Sequence, residues 1–243
     1  MTSTTLHNGR LGNQIIRNLA VSLIAEKYDL KVDYCNQEVF NALGIELFSG
    51  KNIFSETKIL EDDNYFSVFH SGNVDYNLNP NNNYFQTREI TNFLYAYLHT
   101  DRIKSKIMEK NNLKERYNNN NDLLIHIRLT DVQHHNPGAT YYLNAIKKIV
   151  FDNLYITTDD PNHPIIRTIL STYPKALIIY DDEVKTIKFA STCKHIILSH
   201  GSFSAVIGYL SFFSNIYYPE YEMNKIWYGD MFSIKNWTKL SLR

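Results

Sequence analysis

The run Leu123-Leu-Ile-His126-Ile-Arg128-Leu-Thr-Asp131 places a guanidinium and a carboxylate just past five mainly apolar residues. Buried strands of parallel sheets read as short continuous apolar runs, and open α/β sheets bind ligands beyond the carboxyl ends of their strands. At such a tip Arg128 would hold a phosphate, although this segment alone is better explained by a surface ion pair. Three further segments shift the balance. His7-Asn8-Gly9-Arg10-Leu11-Gly12-Asn13-Gln14 sits between a strand-like start and an amphipathic helix. A glycine turn of this kind lets backbone amides approach an anion. It lacks the full dinucleotide fingerprint and the phosphate-loop lysine, so a tight structural turn explains it equally well.

Tyr155-Ile-Thr-Thr158-Asp159-Asp160-Pro161 ends a second strand in an acidic pair. Asp160 as an N-cap with Pro161 at the first helical position is one reading. Asp159 contacting a ribose or a base edge is the other. Ile196-Ile-Leu-Ser199-His200-Gly201-Ser202-Phe203-Ser204 opens a third strand through hydroxyl residues onto an apolar helix. Hydroxyls and free amides at a helix start suit a phosphate, and Ser202 equally suits a cap. Arg128, Asp159 and Ser202 all fall at carboxyl ends of strands predicted to share one parallel sheet. The chain has no Asp-x-Asp, so no metal site and no cofactor are expected.

The elements that must position these residues follow from periodicity. Apolar runs alternate with helical periods beyond Asn121, as in right-handed βαβ crossovers. Strands are predicted at 123–127, 153–157, 176–180, 195–198 and 215–218. Helices are predicted at 141–150, 164–172, 184–193 and 203–213. The first half opens with a strand at 4–6, a helix at 11–28 and a strand at 31–34, and residues 46–83 are illegible. The asparagine runs at 81–83 and 118–121 favour turns. The second marks a boundary between domains at 1–117 and 118–243.

Twenty-five basic and twenty-five acidic residues balance, with no run of like charge to bind nucleic acid. Cys35 and Cys193 are too few for a disulfide framework or a zinc site, and read as core residues of a protein in a reducing compartment. The start lacks the features of a signal peptide, and no segment has the apolar length of a membrane span. A soluble cytoplasmic protein is expected.

Taken in order, Gly9–Gln14, His126–Asp131, Thr158–Pro161 and Cys193–Ser204 resemble the α-1,2-fucosyltransferase family and its α-1,6- and protein O-fucosyltransferase relatives. Tyr84-Phe-Gln86, Tyr141-Tyr142 and Ala145-Ile146 add weaker matches. The resemblance spans Gly9 to Ser211. It implies an α/β fold of the GT-B type, with two Rossmann-like domains and parallel sheets facing across a cleft. The first domain would take the glycan acceptor and the second the nucleotide-sugar donor. The implied activity is inverting, metal-independent transfer of L-fucose from GDP-fucose to a glycan hydroxyl in α-1,2 linkage. Arg128 would pair with the β-phosphate, while His126 and Asp131 would support the nucleotide or its loop. Gly12, Gly201, Ser202, Phe203 and Ser204 would line the phosphates, and Asn13 would reach the phosphate or the fucose.

The chain departs from that family at Leu129, at Thr186 and in Gly201-Ser-Phe-Ser-Ala205-Val206, where the family runs Ser-Ser-Phe-Ser-Trp-Trp. Leu129 stands where a second arginine is usual, and Thr186 where an aspartate reads guanine. Asp182 or Glu183 would then take over the base, or the donor carries another nucleotide. Asn136 stands where the α-1,6 relatives carry a glutamate, leaving His134, His135 or His7 as candidate bases. The many aromatic residues read mainly as core, and only exposed rings such as Trp227 or Tyr228, if they line a cleft, could stack on an acceptor. Two alternatives remain: a glycosyltransferase using another sugar nucleotide, and an inactive nucleotide-binding scaffold of the same fold.

Overall fold

The computed structural model describes residues 2–5, 9–131, 133–221 and 229–242. His7, Trp227 and Tyr228 lie outside them. The chain divides into two units, one of residues 1–110 with 229–231 and one of residues 111–228 with 232–243.

The first unit runs β1 (Ser3–Thr4), α1 (Leu11–Tyr28), β2 (Val32–Asp33), α2 (Gln37–Leu43), β3 (Thr57–Ile59), α3 (Tyr65–Phe69), β4 (Asn77–Asn79), α4 (Arg88–Leu98) and α5 (Asp101–Lys110). β1 pairs with β2 and β3 with β4, both in parallel. The Leu78 amide donates to the Ser3 hydroxyl at 2.8 Å and ties β1 to β4. The illegible stretch therefore contains real strands. Their polarity hid them: β3 is exposed throughout, and β4 reads Asn-Leu-Asn. Asn77 is nonetheless fully buried, because its side chain substitutes for a strand partner. Its Oδ1 accepts from the Phe54 amide at 3.1 Å, and its Nδ2 donates to the Phe54 carbonyl at 2.7 Å.

The second unit runs β5 (Leu123–Ile127), α6 (Ala139–Ile146), β6 (Leu154–Thr158), α7 (Pro164–Thr172), β7 (Leu177–Ile179), α8 (Glu183–Ala190), β8 (His195–Ile197), α9 (Ser202–Tyr209), β9 (Asn215–Pro219) and β10 (Thr238–Leu240). Its six strands form one sheet in the order β10-β9-β8-β5-β6-β7, with every pairing parallel. Counted from β5 this is the doubly wound order 3-2-1-4-5-6, and the winding reverses between β5 and β8. β5 is buried along its whole length, with Ile125 facing Ile156 on one side and Ile197 on the other. Tyr141, Tyr142, Ile146, Ile166 and Ile169 from α6 and α7 complete this core. Each such side chain contributes about 1.5–3 kcal/mol by burial.

α7 keeps its predicted bounds but not the Asp160 cap, and the predicted ends of α6, α8 and α9 move, each for an identifiable reason. α7 begins at Pro164 with His163 as its cap, whose Nδ1 accepts from the Ile165 amide at 3.2 Å. Asp160 instead makes a local turn, accepting from the Asn162 amide at 3.1 Å. α8 stops at Ala190, because the hydroxyls of Ser191 and Thr192 bond back to the carbonyls of Lys188 and Phe189. α6 ends at Ile146 and α9 at Tyr209, each followed by a tight turn carrying a buried Ile149 or Leu210. β10 was not expected from its sequence, Thr-Lys-Leu, which is mostly exposed.

Candidate functional site

The reversal between β5 and β8 marks the place, at the carboxyl ends of the strands, where doubly wound sheets bind ligands. His126 lies in the last turn of pleat of β5 and is 5% exposed. Its Nδ1 is 2.5 Å from Ser204 Oγ in the first turn of α9, and its ring lies 5.3 Å from that of Phe203. Burial, with help from Arg128 and against Asp159, lowers the imidazole to about 4. It is therefore neutral at pH 7, offering one donor and one acceptor nitrogen.

Arg128 follows directly and is bracketed by two carboxylates. Its Nε and Nη2 donate to Asp131 Oδ1 at 2.9 and 2.7 Å, and Nη2 also reaches Oδ2 at 2.8 Å. Nε lies 3.3 Å from Asp159 Oδ2. None of these bonds uses Nη1. The trio carries one formal negative charge, so an incoming anion must displace Asp131, whose side chain is 43% exposed.

Asp159, at the end of β6, is built into the loop rather than left open to a ribose. Its Oδ1 accepts from the Leu129 amide at 2.7 Å, and its Oδ2 accepts from the Thr130 hydroxyl at 2.6 Å and the Thr130 amide at 3.3 Å. Burial raises this carboxyl, but Thr130, Leu129 and Arg128 outweigh it and hold it below its ordinary value. Asn136 fastens the other side of the same loop. Its Nδ2 donates to the Arg128 carbonyl at 2.9 Å and the Tyr142 hydroxyl at 3.1 Å, while its Oδ1 accepts from the Gly138 amide at 2.9 Å. An amide can do both where a glutamate could not.

Two helix starts open beside Arg128's strand. Gly138 precedes α6 at φ 84° and Gly201 precedes α9 at φ 95°, with no side-chain cap at either. A Cβ added at either glycine would meet nothing within 4 Å. The first-turn amides around Ser202 and Phe203 have no acceptor within the helix. His200, three residues beyond β8, sits edge-on to Tyr221, and burial followed by His135 lowers it to about 4.

Other expected residues take different places. Asp182 caps α8, accepting from the Lys185 amide at 2.8 Å, which with Lys185's side chain lowers its carboxyl. Thr186 is buried in α8. His134 is exposed on a 3-10 turn (Gln133–His135), with its ring centroid 4.1 Å from that of His135. Gly12 and Asn13 belong to the first unit, on the first turn of α1. Asn13 Oδ1 accepts from Gln86 Nε2 at 2.8 Å. Gly9 adopts φ 73°, a left-handed conformation that favours glycine, and a Cβ there would also crowd the Asn13 side chain. Thr130, Asn136, Tyr142 and His200 are the residues that sequence reasoning assigned no role. The Asn-Pro-Gly at 136–138 was the one available signal for a fixed loop.

No family model matches the chain, and no curated protein matches it in sequence. Solved structures do. The E. coli heptosyltransferase WaaC with ADP superposes at a TM-score of 0.54 with 8% identity, covering 99% of this chain and 93% of that one. The same enzyme with ADP-2-deoxy-2-fluoro heptose gives a TM-score of 0.51 at 9% identity, with equal coverage. The fold is GT-B-like. Identity this low carries the fold alone. Among the described residues, no helix is long and apolar enough to cross a membrane.

Proposed function

We propose that the chain is a glycosyltransferase that takes a sugar from a nucleoside diphosphate and passes it, with inversion, to a glycan hydroxyl. One observation carries the reading: the guanidinium of Arg128 and the uncapped start of α9 flank the β5/β8 reversal, bound together by the His126–Ser204 contact. The hard event in such a transfer is departure of a diphosphate from an oxocarbenium-like sugar. Arg128, the α9 amides and the Ser202 hydroxyl would neutralise the charge that develops on the leaving oxygens. The acceptor oxygen forms its bond to C1 as the C1–O bond to the diphosphate breaks, and the acceptor proton passes to a base. Asp159 is committed to the Leu129–Thr130 loop and to Arg128, so the positive charge offered to the diphosphate would be the guanidinium, and the reading is of a transfer that needs no metal.

The specific form favoured by the motifs is α-1,2 transfer of L-fucose from GDP-fucose. A second donor has its own support: Thr186 carries no charge and Asp182 is occupied as a cap, which leaves only Glu183 of the carboxylates expected to read guanine. The heptosyltransferase of like fold is seen with ADP. Calorimetric titration with GDP, ADP and UDP, each in EDTA, separates these readings. Tight binding of GDP alone supports the fucosyl form, tight binding of another nucleotide supports the second donor, and no binding by any of the three removes the proposal.

A further inference from the structure

Arg17 is fully buried in the second turn of α1, and among the described residues no carboxylate pairs with it. Its Nη2 donates to the Asn81 carbonyl, while Nε and Nη1 have no partner. Asn18 beside it is also buried, with Oδ1 unpartnered and Nδ2 in long contacts to the Cys35 carbonyl and sulfur at 3.4 and 3.9 Å. Burial lowers the guanidinium, and only Tyr84 and Cys35 act against it. A buried cation lacking a counter-charge and most of its hydrogen bonds is costly, and native proteins retain one where something else completes it.

The position says what that is. Cys35 follows β2, and Asn81 and Tyr84 follow β4, so Arg17 sits at the carboxyl-end edge of the first unit's parallel strands, the edge that binds ligands in such sheets. The segment over it is strained. Asn81 and Phe85 adopt φ of 46° and 56°, and left-handed backbone at a bulky Phe is a genuine outlier. Strain of this kind collects at ligand sites. Asn81 and Asn82 are exposed, so the cover that would have to shift to admit a ligand is thin.

We propose that this edge of the first unit is an anion site with Arg17 as its counter-charge, and that it takes the carboxylate or phosphate of an acidic saccharide. That the anion is carried by a saccharide, and that this saccharide is the acceptor, rests on the glycosyltransferase reading; the anion site itself does not.

The test is thermal unfolding of the full chain in glucuronate, glucose 6-phosphate or glucose at matched ionic strength, with Arg17→Met and Arg17→Lys alongside. Wild type is expected to be stabilised by glucuronate, by glucose 6-phosphate or by both, and not by glucose; the pattern names the source of the anion. Arg17→Met removes an unpaired buried charge, so it should raise the ligand-free Tm by roughly 2–4 °C and erase the anion response. Arg17→Lys should keep part of the response. The proposal is overturned if neither anion shifts wild type, if the shift survives in Arg17→Met, or if Arg17→Met lowers the ligand-free Tm. Anion binding without sugar transfer to any acceptor would sink the enzyme reading and leave the site. Transfer that ignores acceptor charge and Arg17 would leave the enzyme reading and overturn the assignment of the acceptor to this site.

Discussion

His126 Nδ1 and Ser204 Oγ, 2.5 Å apart, join the end of β5 to the start of α9 across the point where the sheet reverses its winding. The bond fixes the start of α9 beside the strand that carries Arg128 just past its end. A neutral, fully enclosed imidazole is a structural pin here and not a proton carrier at neutral pH.

The pin makes stability depend on acid. His126 and His200 both titrate near 4 in the fold and near 6.5 when unfolded. Between those values the unfolded chain binds more protons, so stability is lost as pH falls from 6.5 to 4, by up to about 1.4 kcal/mol per pH unit for each histidine. Asp159, held low, adds loss in the same direction at lower pH. Urea midpoints measured from pH 7 to 4.5 should fall steadily, and His126→Gln should flatten the slope. An unchanged midpoint across that range would refute the assignment.

Asp159→Ala strips partners from two amides, a hydroxyl and Arg128 at once. Unmade bonds of partly buried donors cost about 1–3 kcal/mol. The expected result is a lower urea midpoint together with weaker nucleotide binding. Weaker binding at unchanged stability would instead point to direct contact with the ligand.

Asn136→Ala should release the loop between Arg128 and Gly138, lowering the turnover number more than it weakens the donor's binding. Asn136→Asp keeps the acceptor for the Gly138 amide and loses the donor to the Arg128 carbonyl, so it should rescue little. If Asn136→Asp proves fully active, the loop clip has no catalytic consequence.

Much of the second unit was legible because its chemistry and its burial coincide. Leu123–Ile127 is apolar and buried on both faces, so the strand and its basic tip stand out together, and Ser199–Ser204 marks the partner strand's exit. The roles of the carboxylates were not legible. Asp159 binds backbone amides of a loop thirty residues earlier, and Asp182 caps its own helix, and neither pairing leaves a spacing signature. The first unit hid for the opposite reason: Asn77 and Arg17 are polar by type and buried in fact.

The central claim is that Arg128 neutralises a departing diphosphate. The direct measurement is sugar transfer from GDP-fucose, an ADP-sugar and a UDP-sugar to a mixed glycan pool in EDTA, comparing wild type with Arg128→Ala and Arg128→Lys. Turnover of one donor, unaffected by chelation, is expected to drop by about 10²–10³ in Arg128→Ala, with the fold intact by circular dichroism. Arg128→Lys should recover little, because an ammonium cannot reproduce the planar fork. Transfer that persists at the wild-type rate in Arg128→Ala would contradict the account.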